Sequence, residues 1–145
     1  MVVLKEITRE NLDEVLALSV AEHQKSFVST TADSLAQAYV YRETAFPFAI
    51  YSDEGAVGFI MLGYYEVRNQ YTLWKFLIDK EHQGKGYGKE ALKQGITYLK
   101  EKFDAKQIYT GVSIGNGTAK GLYKSLGFVE TGLVEDGMEE LRLEC

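Results

Sequence analysis

The sequence predicts a mixed α/β (α+β) fold in which about four helices pack on a mostly antiparallel sheet of six to seven strands. Two observations carry this prediction. Short β-rich segments separated by turn residues stand at 48–51 and 56–65, and again at 129–134 and 138–143, as in hairpins. Between these pairs lies a strand-helix-strand passage over 73–112, and a crossover helix makes its two strands parallel.

The composition is that of a globular protein with one domain, residues 1–145. Hydrophobic residues make up 46% and charged residues 26% of the 145 residues, which is enough for a single core without metal or disulfides. The formal net charge of -5 argues against a nucleic-acid partner, which would need a basic face. An acidic protein instead suits a small cationic substrate.

Cysteine usage and the amino terminus argue against a disulfide-bonded, metal-binding, secreted or membrane-spanning protein. Cys145 is the single cysteine and cannot form an internal disulfide, and no Cys/His cluster has metal-ligand spacing, so no metal is expected. The amino terminus lacks a basic segment followed by an apolar one, and no apolar run reaches the length of a membrane span. We therefore expect a cytoplasmic protein without a membrane partner.

The first part of the chain predicts one strand and two helices. Apolar and polar residues alternate over 2–7, which predicts a strand. Asn11 is a candidate cap for a helix over 12–22, and a second helix is expected over 31–43. The expected core positions are Leu12, Val15, Leu16 and Ser19 in the first helix, and Leu35, Ala38 and Tyr39 in the second.

A hairpin and a central strand are expected next. Pro47, the only proline, marks the entry to the hairpin, whose strands are 48–51 and 56–65. A loop over 66–70 returns the chain to an apolar strand at 73–78. Three consecutive strands with such short connections pair antiparallel.

The second half predicts two helices and three strands. After glycines at 84–88, apolar residues recur every three or four positions up to Phe103, which predicts a helix packed on the sheet. Strand 107–112 follows, and a short helix from Asn116 is expected to end at Gly127 before the closing hairpin. The expected core positions are Leu92, Ile96, Leu99 and Phe103 in the longer helix, and Ala119, Leu122, Tyr123 and Leu126 in the shorter.

The glycine-rich loop predicts a pyrophosphate site. Gly84, Gly86 and Gly88 leave little side-chain bulk between a strand and a helix, so an anion can approach backbone N–H groups that lack intrahelical acceptors. Lys85 or Lys89 would add favourable charge. The dinucleotide pattern G-x-G-x-x-G fails at Lys89, and G-x-x-x-x-G-K-[ST] occurs nowhere in the chain.

Two motifs resemble those of a known enzyme family. Gln83-x-x-Gly86-x-Gly88 is similar to the Q/R-x-x-G-x-G/A signature of the GNAT superfamily of acetyl-CoA-dependent N-acetyltransferases. The run from Asn116 through Tyr123 to Phe128, Asn-x-x-Ala-x-x-x-Tyr-x-x-x-Gly-Phe, resembles a second signature of that superfamily. Two signatures in the right order are more specific than either alone, and the chain is identified as a member of the superfamily.

This resemblance implies a fold, a cofactor and site residues. The GNAT fold is a central mixed, mostly antiparallel twisted sheet with helices on its two faces, and the cofactor is acetyl-CoA. Tyr123 matches the general acid that protonates the departing thiolate of coenzyme A, Asn116 faces the cofactor, and a homodimer is implied. The backbone of Phe76, Leu77 and Ile78 would align the pantetheine arm and thioester, and the pyrophosphate would lie on Gln83, Gly84, Lys85, Gly86, Tyr87, Gly88 and Lys89.

Acyl transfer to an amine requires two proton movements. A primary alkylammonium with a pKa of about 10.4 must lose a proton before its nitrogen attacks the thioester. The departing thiolate benefits from a proton donor, for which a phenol with a pKa of about 10 is suited. A side chain or a water chain can take the first proton, and His23 and His82 are candidate bases.

The sequence identifies the acceptor amine less closely than it identifies the cofactor. The chain is most similar to the spermidine/spermine (diamine) N-acetyltransferases, which implies a polyamine, yet Trp74 stands where related enzymes have a carboxylate on the central strand. Trp74 can instead form an apolar or cation–π wall. Another amine, such as a protein amino terminus, an aminoglycoside or an amino acid, and a non-catalytic acetyl-CoA sensor remain alternatives. Candidate acceptor contacts are Glu22, His23, Glu43, Tyr64, Glu66 and Trp74.

Overall fold

The computed structural model describes residues 1–145 and contains a single seven-stranded sheet. The strand order is β1-β2-β3-β4-β5-β7-β6, and every neighbouring pair is antiparallel except β4 and β5, which are parallel. This arrangement confirms the predicted fold class and the crossover connection. The strands are β1 Val3–Lys5, β2 Ala45–Ser52, β3 Gly55–Tyr65, β4 Gln70–Ile78, β5 Gln107–Ser113, β6 Val129–Glu135 and β7 Met138–Glu144.

Four α-helices cover the two faces of the sheet, two on each face. Alternate residues of β3 are therefore buried on opposite sides. Ile60 and Leu62 belong to the core beneath the two later helices, whereas Phe59 and Met61 belong to the core beneath the two earlier ones. No helix combines the length and the apolar character that a membrane span requires. The helices are α1 Leu12–Leu16, α2 Thr31–Val40, α3 Tyr87–Phe103 and α4 Gly117–Ser125, with a 3₁₀ turn at Glu22–Gln24.

The first helix is much shorter than predicted. It ends at Leu16 rather than near residue 22, and of its expected core positions only Val15 is buried. The backbone N–H of Ser19 donates to the Asp79 carboxylate at 2.8 Å, and Ser19 C=O accepts from Lys80 N–H at 2.8 Å. These bonds to the end of β4 take the chain out of the helical path, so the local periodicity was misleading.

The second helix buries its predicted face only in part: Ala38 is buried and Leu35 packs against the core, as expected. It ends at Val40, and Tyr39, expected in the core, is 73% exposed. The buried side also includes Thr31 and Ser34, and the Thr31 hydroxyl donates to the Val15 carbonyl at 3.1 Å. A hydrogen-bonded small polar residue can therefore take a core position that a hydrophobic pattern does not reveal.

Pro47 lies inside β2 rather than before it. It pairs with Met61 of β3, whereas β1 pairs only with residues 49–51. Pro47 thus lies in a segment of β2 with a strand on one side only, where a missing N–H is tolerated.

The parallel strands β4 and β5 separate soon after they meet. Only Tyr71 and Thr72 pair with β5. Just beyond, β4 carries a bulge at Trp74, because Met61 pairs with Lys75 while the next residue of β3 pairs with Leu73. The separation opens a cleft in the middle of the sheet, where the buried Thr110 hydroxyl donates to the Leu73 carbonyl at 3.0 Å.

Candidate active site

The cleft between β4 and β5, called here the strand cleft, has a volume of about 350 Å³. Trp74 to Leu77 of β4 form one wall, residues 110–113 of β5 form another, and Tyr123 lies on the side contributed by α4. Because β5 has left the β4 edge at residues 76–78, the backbone there has no neighbouring strand on that side. The stretch of β4 that includes Phe76, Leu77 and Ile78 therefore has an open edge on the side away from β3.

A second groove, of about 350 Å³, continues from the strand cleft along the glycine loop, residues 83–89. Gly84 and Gly86 have φ values of +79° and +83°, which other residues rarely adopt. None of the backbone N–H groups of residues 84–89 has a hydrogen-bond acceptor in the protein. A row of free donors at the start of α3 is able to bind a pyrophosphate.

Gly88 is needed for close packing, whereas Gly84 and Gly86 are needed for their positive φ angles. A Cβ atom at this position would lie 3.1 Å from Phe76 Cζ and 3.4 Å from Ile78 Cγ1. Glycine thus lets α3 begin close against β4. The Gln83 side chain donates to the Ile78 carbonyl at 2.9 Å and exchanges hydrogen bonds with Gln24 at 2.9 and 3.1 Å. This side chain anchors the glycine loop to the end of β4.

The two lysines of the glycine loop have different surroundings. Lys85 Nζ lies 3.0 Å from Glu54 Oε1, in the turn between β2 and β3, and the Tyr87 hydroxyl donates to the same carboxylate. Hydrogen bonds from Tyr87 and Lys85 lower the pKa of Glu54. Lys89 lines the groove without a carboxylate partner. Lys89 is therefore the free cation of the loop.

Tyr123 is a buried phenol that lines the strand cleft. Its residue is 5% exposed, and its ring packs edge-on against Phe128 with centroids 5.5 Å apart. Burial raises the pKa of Tyr123 to about 12, and the neighbouring Thr110 hydroxyl acts in the opposite direction. The phenol consequently keeps its proton at neutral pH. Asn116 caps α4, where its side-chain oxygen accepts from Ala119 N–H at 3.3 Å, and it lines both the cleft and the groove.

A larger cavity of about 720 Å³, called here the acidic cavity, adjoins the strand cleft. The two share Trp74, Thr110, Gly111 and Met138 as lining residues. Its lining combines carboxylates with aromatic rings and includes Arg68 as its one basic residue. The carboxylates are Glu66, Glu135, Asp136 and Glu140, and the rings are Tyr41, Tyr64, Tyr65, Tyr109 and Trp74.

The structure brings together three of the six candidate acceptor residues. Tyr64, Glu66 and Trp74 line the acidic cavity. Glu22, His23 and Glu43 are exposed and line neither this cavity nor the strand cleft, and Glu22 forms an ion pair with Lys25 at 2.8 Å. His82 lies beside the glycine loop, 3.6 Å from Glu54.

Sequence reasoning missed the carboxylates of the closing hairpin. Glu135, Asp136 and Glu140 belong to a segment whose pattern indicates only strand and turn, although its run of acidic residues is visible. Lys75 was also not among the predicted site residues. It lines the strand cleft, donates to Ser29 Oγ at 2.9 Å and is half-buried, and burial lowers the pKa of its ammonium while Asp33 opposes this. No group of three or more His, Cys, Asp or Glu residues is arranged to hold a metal ion.

Comparison with known proteins identifies relatives of the whole chain. The model of the acetyltransferase (GNAT) family matches residues 12–128. A probable spermine N(1)-acetyltransferase of Bacillus subtilis subsp. natto (strain BEST195) is 32% identical, over 97% of this chain and 96% of that protein. A spermine/spermidine N(1)-acetyltransferase of Bacillus subtilis (strain 168) is 31% identical over the same shares of the two chains.

A solved structure shows the same fold. The spermidine N-acetyltransferase of Vibrio cholerae, crystallised in complex with CoA and spermine, has a TM-score of 0.76 and 21% identity to this chain. The match covers 97% of this chain and 92% of the other. The fold predicted from the two motifs is thereby confirmed.

Proposed function

The chain belongs to the acetyltransferase (GNAT) family, and from this premise we propose that its acceptor is a polyamine such as spermine or spermidine. It is an N-acetyltransferase that uses acetyl-CoA. One observation carries the choice of acceptor, namely the acidic cavity beside the strand cleft. With four carboxylates and one arginine, the cavity lining has an excess of negative charge, which attracts a polycation. Its aromatic rings can bind alkylammonium groups by cation–π attraction.

Main-chain groups would hold the cofactor. The free N–H groups of residues 84–89 fit a pyrophosphate, and the open edge of β4 at 76–78 fits the pantetheine arm beside it. Acetyl-CoA supplies the activated acetyl group. Gln83 positions the glycine loop, and Asn116 positions α4 and hence Tyr123.

Tyr123 would act as the general acid. Two observations support this role: its phenol carries a proton at neutral pH, and Tyr123 lines the strand cleft in which the thioester would lie. Amide donors of residues 76–78 would stabilise the developing oxyanion. The acidic cavity adjoins the strand cleft and carries four carboxylates, and through it the ammonium proton would pass to water.

Lys75 favours a second acceptor class. Its ammonium lines the strand cleft and has no carboxylate within ion-pair distance. An amine that carries its own carboxylate close by, as in an amino acid, would be attracted to this charge, whereas a polyamine nitrogen would be repelled. The two acceptor classes are therefore distinguished by the sign of charge next to the reacting amine.

An acceptor panel tests the proposal. We expect kcat/KM for spermine or spermidine to exceed that for amino acids and peptide amino termini by at least about tenfold, equivalent to roughly 1.4 kcal/mol. Glu66→Gln should lower kcat/KM for polyamines about fivefold, and Glu43→Gln, outside the acidic cavity, should not. A preference for amino acids would favour the second class, and cofactor binding without turnover of any amine would indicate a binding module.

The two lysines of the glycine loop are expected to contribute unequally to the binding of acetyl-CoA. Lys89→Gln should raise the KM for acetyl-CoA about tenfold, because this cation is free to interact with phosphate. Lys85→Gln should raise it less than about twofold, because Glu54 already neutralises that side chain. The pair is matched in residue type and substitution. Equal effects of the two substitutions would show that Lys85 leaves Glu54 when the cofactor binds.

A further inference from the structure

Arg68 spans the acidic cavity between two distant elements. It belongs to the loop between β3 and β4, and its Nη2 lies 2.6 Å from Glu135 Oε2. Its Nη1 lies 3.6 Å from Glu140 Oε2. Both carboxylates belong to the β6–β7 hairpin, so one guanidinium pairs with two of the four acidic side chains of the cavity.

The arginine is charged, and one of its two partners makes a further hydrogen bond. The hydrogen bond with Glu135 raises the pKa of Arg68 above its already high ordinary value. Glu140, whose side chain is 18% exposed, also accepts from the Thr131 hydroxyl at 2.8 Å. Without another ligand, this carboxylate pair already binds a cation supplied by the chain itself.

An alkylammonium group would compete with Arg68 for the same oxygens. Ion pairs at partly exposed positions contribute little to stability, so a ligand cation can displace the guanidinium. The loop would permit the movement, since the adjacent Val67 is 78% exposed and neither residue belongs to a core cluster. The side chain can therefore leave without disturbing the packing of the sheet.

We propose that Arg68 is a specificity-determining residue that fills the subsite for a distal ammonium group and competes with the polyamine for Glu135 and Glu140. The inference rests on the proposed function, because it assumes that the acceptor carries more than one cation. A monoamine that reaches only the strand cleft leaves this subsite alone. Arg68 therefore raises the KM for polyamines and leaves the KM for monoamines unchanged.

Arg68→Gln tests the competition directly. With acetyl-CoA saturating, the KM for spermine should fall about fivefold, the KM for butylamine should stay the same, and kcat should be unaffected. Arg68→Lys, which keeps the cation, should retain a KM near that of the unmodified protein. Arg9→Gln is the matched control, since it removes an equal charge from a side chain that is 94% exposed and pairs only with Glu10.

The outcomes separate the inference from the proposed function. If the unmodified protein acetylates spermine and Arg68→Gln leaves or raises its KM, Arg68 does not compete and the inference is overturned while the function stands. An equal fall in Arg9→Gln also overturns it, because the effect is then one of net charge. Absence of polyamine turnover in the unmodified protein overturns both. A melting temperature within about 2 °C of the unmodified value shows that Arg68→Gln acts locally.

Discussion

Tyr123→Phe is expected to lower kcat by about 10²- to 10⁴-fold, the usual contribution of a positioned proton donor. The substitution removes only the hydroxyl, and the ring keeps its edge-on contact with Phe128 at 5.5 Å. Affinity for coenzyme A should be unchanged, because the free N–H groups of residues 84–89 lie in a separate part of the site. Steady-state turnover and calorimetric titration with coenzyme A measure the two quantities.

The pH dependence supplies an independent test of the same assignment. Burial raises the pKa of Tyr123 to about 12, so the phenol is protonated below that pH and loses its proton only above it. Turnover should therefore show no alkaline loss from Tyr123 up to about pH 10. Tyr98→Phe is the control, since Tyr98 packs on Phe48 and Phe103, outside the strand cleft, and should keep full turnover. A Tyr123→Phe protein with more than about one tenth of normal kcat would exclude the general-acid role.

Gly86→Val is expected to weaken coenzyme A binding by about 100-fold or more. At a φ of +83° a β-branched residue is strained, so the loop must change its conformation and turn its N–H groups away from their present direction. Loss of two hydrogen bonds to a charged phosphate, at roughly 1.5 kcal/mol each, corresponds to this factor. The dissociation constant of coenzyme A, measured by calorimetry, checks it.

Gly132→Val is the matched control for that substitution. Gly132 has a φ of +90° and, like Gly86, nothing within 4 Å of the place a Cβ atom would occupy, but it lies in β6, away from the glycine loop. Both variants should lose stability through the same backbone strain, and only Gly86→Val should lose affinity for coenzyme A. Comparable affinity losses in the two would show that strain, rather than the N–H groups, controls binding.

The glycine loop and the helix after it could be predicted because their requirements are local. Positive φ angles at Gly84 and Gly86 demand glycine, and the buried residues Leu92 and Leu99 recur at helical spacing along α3. The same reasoning failed for α1, where a hydrogen bond between Ser19 and Asp79, 60 positions apart, ends the helical path. Periodicity within a segment carries no information about such a distant partner.

The residues around the acceptor could likewise be predicted only in part. Glu66 and Trp74 could be proposed from their nearness to the central strand, but the carboxylates that complete the acidic cavity come from the other end of the chain. The bulge at Trp74 and the early separation of β4 from β5, which open the strand cleft, also depend on the register between strands. Register is a relation between segments that neither segment displays alone.

The sequence by itself determined the order of strands and helices, the glycine loop and the position of Tyr123 in the helix that Asn116 caps, since each depends on residues a few positions apart. Only the tertiary structure decided what surrounds the acceptor. Arg68 and Glu135 are separated by 67 positions and yet lie 2.6 Å apart, because the sheet places β7 and β6 beyond β5 and returns their hairpin to the loop between β3 and β4. Charges that meet through chain topology leave no local pattern in the sequence.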